Sequence, residues 1–297
     1  MTASDYLDLL IRALLLAGIY AAMAVGMTVI YGVMKIVNLA HAGFLMLGAY
    51  FAFELFQRFQ IDPVLGAVLA LPAFFIFGMG VHWLLVRWLP QSDTPTLSSL
   101  LLMFGFWLVL QNVGYIIWGN EESSILMPRT FASLHLGEIS IPKVSLIVFA
   151  AAVVSLVLLQ IIFNRSWFGR SMRSLIQNPY AAQIVGVDHQ KTSMLSFGLG
   201  TAFAGFAGAL LSMLYSFTPD FGRPFLLRSF VIIVLGGLES VSGVALGALV
   251  LALLETFSVQ VLPASYQPAI SFALLVLVLL VMPKGIAGLL QKKRRVA

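Results

Sequence analysis

Long runs of apolar residues dominate this sequence, and most of them are long enough to cross a membrane as a helix. Such a helix needs roughly 20 mostly apolar residues. Seven runs of this kind lie at 9–31, 36–56, 64–89, 97–118, 144–163, 192–215 and 269–283. Only 10% of the residues are charged, against about a quarter in an average soluble domain. Because so few charges cannot cover a water-facing surface, an ordinary soluble enzyme, a disordered chain and a basic nucleic-acid binder are excluded. The sequence predicts an all-α, polytopic transmembrane bundle.

The region 225–262 is apolar but too long for one crossing, and the glycine-rich stretch 236–243 interrupts it. We expect two segments here, 225–238 and 243–262, which brings the total to about eight or nine. The first segment is short and carries Arg228. It therefore predicts a broken or re-entrant helix, which membranes tolerate only where protein or water covers the exposed backbone.

The distribution of Lys and Arg predicts the orientation, because short cytoplasmic loops are enriched in both residues. The basic cluster 292–295 and the basic loop 164–191 are both expected in the cytoplasm. Four segments then separate them, and five precede the loop. The N-terminus is accordingly expected outside and the C-terminus inside, with residues 1–297 forming a single membrane domain and the acidic loop 119–143 external.

Several kinds of chemistry have no motif in this sequence. It contains no GxxxxGK[ST] phosphate-binding loop, no HExxH, no GxSxG and no cysteine. The four histidines, His41, His82, His135 and His189, are scattered. We therefore predict no catalytic residue, no metal site and no cofactor in this chain, and uphill transport would draw its energy from a partner or an ion gradient.

The basic loop 164–191 predicts a structured knob over residues 169–186. Gly169 to Gln177 form a short basic helix in this interpretation, and Asn178 caps a second one whose first residue is Pro179. Gly186 ends the second helix, and Asp188 caps the next membrane segment. Two short helices joined by a tight turn would give a rigid body outside the bilayer.

The faces of this knob are expected to present apolar and basic side chains together. The expected exposed residues are Met172, Leu175, Tyr180 and Ile184, with Arg170 and Arg173. Such a mixture favours docking into a groove on another protein. The alternative is a basic loop lying on anionic lipid.

Four motifs, taken in chain order, resemble the permeases of branched-chain amino acid ABC importers. The loop resembles their cytoplasmic coupling segment through Gly169, Arg173, Asn178, Ala182 and Gly186. The other matches are an N-terminal signature within 26–50, the glycine-rich turn 234–243 and a C-terminal motif at 283–288. The chain departs from the family pattern at Ala42-Gly43-Phe44 and at Glu239. Loop 119–143 is the least similar part.

This resemblance implies a multisubunit importer in the bacterial cytoplasmic (inner) membrane. Its other parts would be a second related permease, two cytoplasmic ATPase subunits that bind ATP and Mg, and an external substrate-binding protein. The residues that would couple this chain to the ATPases are Gly169, Arg170, Arg173, Asn178, Pro179, Ala182 and Gly186. The expected substrates are branched-chain or related amino acids, and urea or short amides are the alternative within the same class.

Polar residues inside the predicted spans are the pathway candidates. Asn38 and His41 are expected three residues apart on one helical face, where they would line or gate the substrate path. The alternative is that they only bind neighbouring helices through hydrogen bonds. Glu54 and Glu255 are expected near the membrane surfaces and solvated. Glu239 is expected to pair with a cation on the ATPase or with Lys284.

Small residues predict close helix packing. Gly198, Ala202, Gly205 and Ala209 share one face of the segment 192–215, and Gly243 with Gly247 forms a GxxxG pair. We expect both sets to pack inside this chain rather than against a second permease.

Two rival functions stay open on sequence grounds. A secondary transporter or channel acting alone would need a relay of buried carboxylates, and the predicted spans contain few. A membrane-embedded enzyme would need paired catalytic carboxylates or histidines, and the pattern offers none.

Overall fold

A computed structural model describes residues 3–89, 97–126, 132–136, 139–282 and 285–286. Its helices are α1 (Ala3–Met34), α2 (His41–Phe59), α3 (Pro63–Leu84), α4 (Leu97–Trp118), α5 (Lys143–Arg165), α6 (Trp167–Gln177), α7 (Pro179–Ile184), α8 (His189–Leu211), α9 (Gly222–Gly236), α10 (Val241–Ser258) and α11 (Gln267–Val281). Short 3₁₀ turns lie at Val86–Trp88 and Ala264–Tyr266.

Nine of these helices correspond to the nine predicted membrane segments, so the all-α polytopic bundle is confirmed. Six apolar stretches in the described residues are long enough to span a membrane: Ser4–Met34, Pro63–Trp88, Leu97–Trp118, Lys143–Arg165, His189–Leu211 and Val241–Ser258. α11 is a shorter apolar helix. α9 has 15 residues, about 22 Å at the helical rise. It falls short of the roughly 30 Å hydrocarbon core.

The predicted break between α9 and α10 is present. Gly237 occupies the turn with φ 102°, a backbone conformation that favours glycine. Ser240 caps α10 by accepting a hydrogen bond from the Gly243 amide at 3.0 Å. The C-terminal half of α9, Val231–Gly236, is buried among its neighbours, which covers the backbone around the break with protein.

α8 lies at the centre of the bundle and packs on α1, α2 and α3. Its glycines make this close approach possible. A Cβ on Gly198 would lie 2.9 Å from the Phe75 carbonyl oxygen, and a Cβ on Gly205 would overlap the Phe74 ring. Ala202 and Ala209 on the same face are buried. This small-residue face therefore packs inside the chain, as predicted.

One predicted span begins differently in the structure. Residues 35–40 are not helical, and α2 begins only at His41. Lys35 has φ 54°, the left-handed region that non-glycine residues rarely adopt. The expectation that Asn38 and His41 share one helical face is therefore wrong, because Asn38 lies in the break before the helix.

The loop 119–143, which is predicted to be external, contains a short antiparallel hairpin of β1 (Ser133–Leu136) and β2 (Ile139–Pro142). A bridge between Ser123 and Phe217 ties the start of this loop to the segment after α8. We call this the hairpin end of the bundle. The opposite end, the knob end, carries α6, α7, the start of α8 and the α9–α10 turn.

Candidate coupling surface and membrane polar sites

Three side-chain caps build the knob and the helix that follows it. The Ser166 hydroxyl accepts a hydrogen bond from the Gly169 amide at 2.9 Å, and the Asn178 side chain accepts one from the Ala181 amide at 3.0 Å. Asp188 accepts one from the Lys191 amide at 3.0 Å. This backbone donor holds the pKa of the Asp188 carboxyl below its usual value. Pro179 opens α7, as predicted.

The glycine at the end of the knob also has its predicted role. Gly186 has φ 89°, and its amide bonds to the Gln183 carbonyl at 3.0 Å. A residue with a Cβ would be strained here. The turn between α7 and α8 therefore has a single defined geometry.

Several of the predicted coupling residues hold the knob onto the bundle rather than face outward. A Cβ on Gly169 would overlap the Phe163 carbonyl oxygen. Arg173 donates to the same carbonyl, and its guanidinium lies 5.5 Å from the Phe163 ring centre. Ala182 is buried. These contacts fix α6 and α7 to the end of α5.

The expectation that Met172 and Leu175 are exposed is wrong. Both are buried, at 0% and 1% exposure, because the apolar face of α6 turns toward the bundle. The apolar side chains that do face outward are Trp167 of α6 and Tyr180, Ile184 and Val185 of α7 and its cap, and they are 70–86% exposed. Arg170 is exposed beside Trp167, with its guanidinium 5.0 Å from that ring. We call these five residues the knob surface.

Asn38 and His41 are both fully buried. Nε2 of His41 lies 3.0 Å from the Met23 carbonyl oxygen of α1. Among the residues that the structure describes, neither amide atom of Asn38 has a hydrogen-bond partner, and neither does Nδ1 of His41. Buried polar groups are rarely left unpaired, and the pathway role of Asn38 and His41 stays a prediction.

Glu239 has a partner that the sequence analysis did not anticipate. It forms an ion pair with Lys35. Lys284 lies outside the described residues, so the pairing with Lys284 stays a prediction. The pair joins the α1–α2 break to the α9–α10 turn. The α1–α2 break and the α9–α10 turn are thus in direct contact at the knob end.

Glu255 is also placed differently from its prediction. It is 1% exposed rather than solvated. Its carboxylate accepts hydrogen bonds from Tyr20 Oη at 2.5 Å, Ser271 Oγ at 2.6 Å and Arg228 Nε at 3.0 Å. These residues come from α1, α11 and α9. Buried charges require such pairing because desolvation penalises them severely.

A cavity of about 420 Å³ opens at the hairpin end beside this carboxylate network. Gln267 belongs to both, since it lines the cavity and accepts from Nη2 of Arg228 at 3.5 Å. Asp8, Arg12 and Tyr215 also line the cavity. The carboxylate of Asp8 and the guanidinium of Arg12 in its wall form an ion pair at 2.6 Å.

Gln111, Glu54 and His82 have ordinary structural contacts. Gln111 donates to Asp220 at 2.7 Å. Glu54 is partly exposed, accepts from Trp118 at 2.7 Å and pairs with Arg58 at 2.6 Å. His82 is buried, with its ring centre 6.1 Å from that of Phe197.

Comparison with known proteins places these features in one family. The sequence model described as branched-chain amino acid transport system / permease component matches residues 9–279. The chain is 28% identical to the high-affinity branched-chain amino acid transport system permease protein LivH of Salmonella typhimurium over 95% of this chain and 96% of that protein. It is 30% identical to the permease protein BraD of Pseudomonas aeruginosa, with the same two coverages.

An archaeal protein is similar over nearly as much of its length. The probable branched-chain amino acid transport permease protein LivH of Methanocaldococcus jannaschii is 25% identical over 95% of this chain and 92% of that protein. No solved structure matches the chain significantly. The family match spans the bundle from α1 to α11 and includes the knob. This chain therefore belongs to the family of branched-chain amino acid transport system permease components.

Proposed function

We propose that this chain is one membrane subunit of an ATP-driven importer of branched-chain amino acids. It works with a second related permease, two cytoplasmic ATPase subunits and an external substrate-binding protein. The observation that carries the proposal is the family match over residues 9–279. The knob supports it, because it offers a rigid surface for a partner beyond the membrane.

In this proposal, the chain moves solute and the ATPases supply the energy. Its sequence contains no GxxxxGK[ST] motif, so ATP and Mg bind to the partner subunits. The knob surface docks into a groove of an ATPase, with Tyr180, Ile184 and Val185 as apolar anchors. Arg173 and Gly169 then pass the movement of the ATPase to α5.

The proposed orientation places the hairpin end outside and the knob end in the cytoplasm of a bacterial cell. The basic residues of loop 164–191 and of the cluster 292–295 support this orientation. The cavity at the hairpin end then faces the substrate-binding protein. The ion pair of Lys35 with Glu239 then lies at the cytoplasmic end of the bundle.

Affinity purification of the tagged chain from mildly solubilised membranes tests the assembly. Mass spectrometry is expected to find two ATPases and a second permease with it. Recovery of the chain alone in several mild detergents would contradict the proposal and favour a stand-alone transporter.

The substrate is tested separately, by uptake of labelled leucine into cells that lack the chain or carry it on a plasmid. Isoleucine and valine in excess are expected to suppress the uptake, and urea is expected to leave it unchanged. If uptake depends on the chain but is blocked by urea, the proposed substrate would be a short amide rather than a branched-chain amino acid.

A further inference from the structure

A second cavity, of about 100 Å³, lies at the knob end where four elements meet. We call it the knob pocket. Its walls come from the end of α1, the end of α3, α7 of the knob and the start of α8. The volume is several times the roughly 10–15 Å³ that one water needs, and it suits a small polar group rather than a whole amino acid chain.

The lining of the knob pocket is basic. Lys35, His82, Arg87 and His189 all line it, and no carboxylate does so among the described residues. Lys35 also pairs with Glu239, so the charge of Lys35 is already shared. Basic pockets between helices on the cytoplasmic side of membrane proteins are sites for anionic head groups.

Two residues that line the knob pocket each have a buried polar atom without a partner in the described part of the chain. Ser193 is 3% exposed and its Oγ is unpaired, as is Nδ1 of His189. Gln183 and Gln190 provide further amide donors in the walls. A cluster of unused donors beside positive charge matches the acceptor oxygens of an anion.

Aromatic residues place the mouth of the pocket at the level of the lipid head groups. The guanidinium of Arg87 lies 4.5 Å from the Trp83 ring centre and 4.4 Å from that of Trp88. Both tryptophans are exposed, and exposed tryptophans concentrate at membrane–water interfaces. Stacking leaves the N–H edge of the guanidinium available to a bidentate acceptor.

We propose that the knob pocket binds a phosphate group, supplied by an anionic phospholipid or by free phosphate. Arg87 and Ser193 donate to the phosphate oxygens, and the imidazoles of His82 and His189 complete the site. Because the walls belong to α1, α3, α7 and α8, a bound phosphate joins the knob to the bundle. The site rests on the proposed cytoplasmic position of the knob end, but it does not rest on transport, since binding is measured without turnover.

The test is the thermal denaturation midpoint of the complex as purified, in detergent depleted of lipid. One arm adds phosphatidylglycerol, with phosphatidylcholine as the comparison. The other adds inorganic phosphate, with chloride at equal ionic strength. A ligand that binds only the folded state raises the midpoint. A rise with phosphatidylglycerol alone assigns a lipid head group, and a rise with phosphate assigns the free anion.

Two variants test whether the rise in the thermal midpoint comes from binding in the knob pocket. Arg87→Gln and Ser193→Ala are each expected to lose most of it. Since Arg87 is exposed and Ser193 Oγ has no described partner, neither change should lower the midpoint without ligand. Lys191→Gln is the matched control, because this exposed lysine is on the same side but outside the pocket. It should keep the full rise.

Three results would overturn the proposal. The first is no rise with either phosphate source. The second is a full rise in both pocket variants. The third is an equal loss in Lys191→Gln, which would show a general attraction of basic loops to anionic surfaces.

Discussion

Arg228 on α9 and Glu255 on α10 form an ion pair inside the bundle, with 3.0 Å between Nε and Oε1. Removing one partner of a buried pair leaves an uncompensated charge and costs about 3–5 kcal/mol. We therefore expect Glu255→Gln to lower the thermal midpoint of the purified complex by many degrees. The double variant Arg228→Gln with Glu255→Gln should recover most of the loss.

The matched control for this pair is Glu54→Gln. Glu54 also pairs with an arginine, but Arg58 is largely exposed, and such surface pairs contribute about 0–1 kcal/mol. Its midpoint should hardly change. Equal midpoints for Glu255→Gln and Glu54→Gln would show that the buried pair is not a structural requirement.

The knob surface yields a second prediction. Ile184 is 86% exposed, so Ile184→Asp should leave the fold intact while it places a charge in the expected docking groove. Co-purification of the ATPases should be lost, and the amount of membrane-inserted chain should be unchanged. Quantitative immunoblots of membranes and of affinity eluates measure the two effects.

Asn164→Asp is the control for the knob, since it adds the same charge to an exposed residue before α6. It should retain the ATPases. If Ile184→Asp also retains them at wild-type yield, the knob surface does not dock and the membrane-lying alternative gains support.

The central packing of α8 gives a third prediction. A Cβ on Gly48 would overlap the Gly205 backbone, whereas a Cβ on Gly105 would meet nothing within 4 Å. Gly48→Val should therefore destabilise the bundle by about 1–3 kcal/mol through overpacking, as measured by the thermal midpoint. Gly105→Val should leave the isolated chain unchanged. If the thermal midpoint of Gly48→Val equals that of wild type, α2 and α8 pack less closely than the contact between Gly48 and Gly205 indicates.

Asn38 allows stability and transport to be separated. Its amide has no partner in the described residues, so Asn38→Leu should not lower the thermal midpoint. Loss of a hydrogen bond of about 0.5–1.5 kcal/mol to substrate or water in transit would slow uptake roughly two- to tenfold. Leucine uptake at matched expression measures it. Unchanged uptake would reduce Asn38 to a packing residue.

Local signals were sufficient for much of this fold. The spans follow from hydropathy, and the caps Asn178 and Asp188 follow from residue type and spacing, because each acts within a few residues of itself. The glycines at 186 and 237 mark turns for the same reason. The break at 35–40 escaped prediction because Ile36, Val37 and Leu39 continue the apolar pattern across it.

The network around Glu255 could not be predicted, because its partners are distant in sequence. Tyr20 and Arg228 lie 235 and 27 residues away, and hydropathy says nothing about which helices become neighbours. The prediction that Met172 and Leu175 of α6 are exposed was wrong for a related reason. An amphipathic helix shows that Met172 and Leu175 share an apolar face, but it does not say whether its own bundle or a partner covers that face.

The position of α8 has a mechanical consequence. This helix begins three residues after Gly186 and is surrounded by α1, α2 and α3. In the proposed importer, movement of the knob would therefore reach α8 through residues 186–188, as well as α5 through α6. Because α8 is the central helix, such movement would displace the buried centre of the bundle before it displaced lipid-facing helices such as α4.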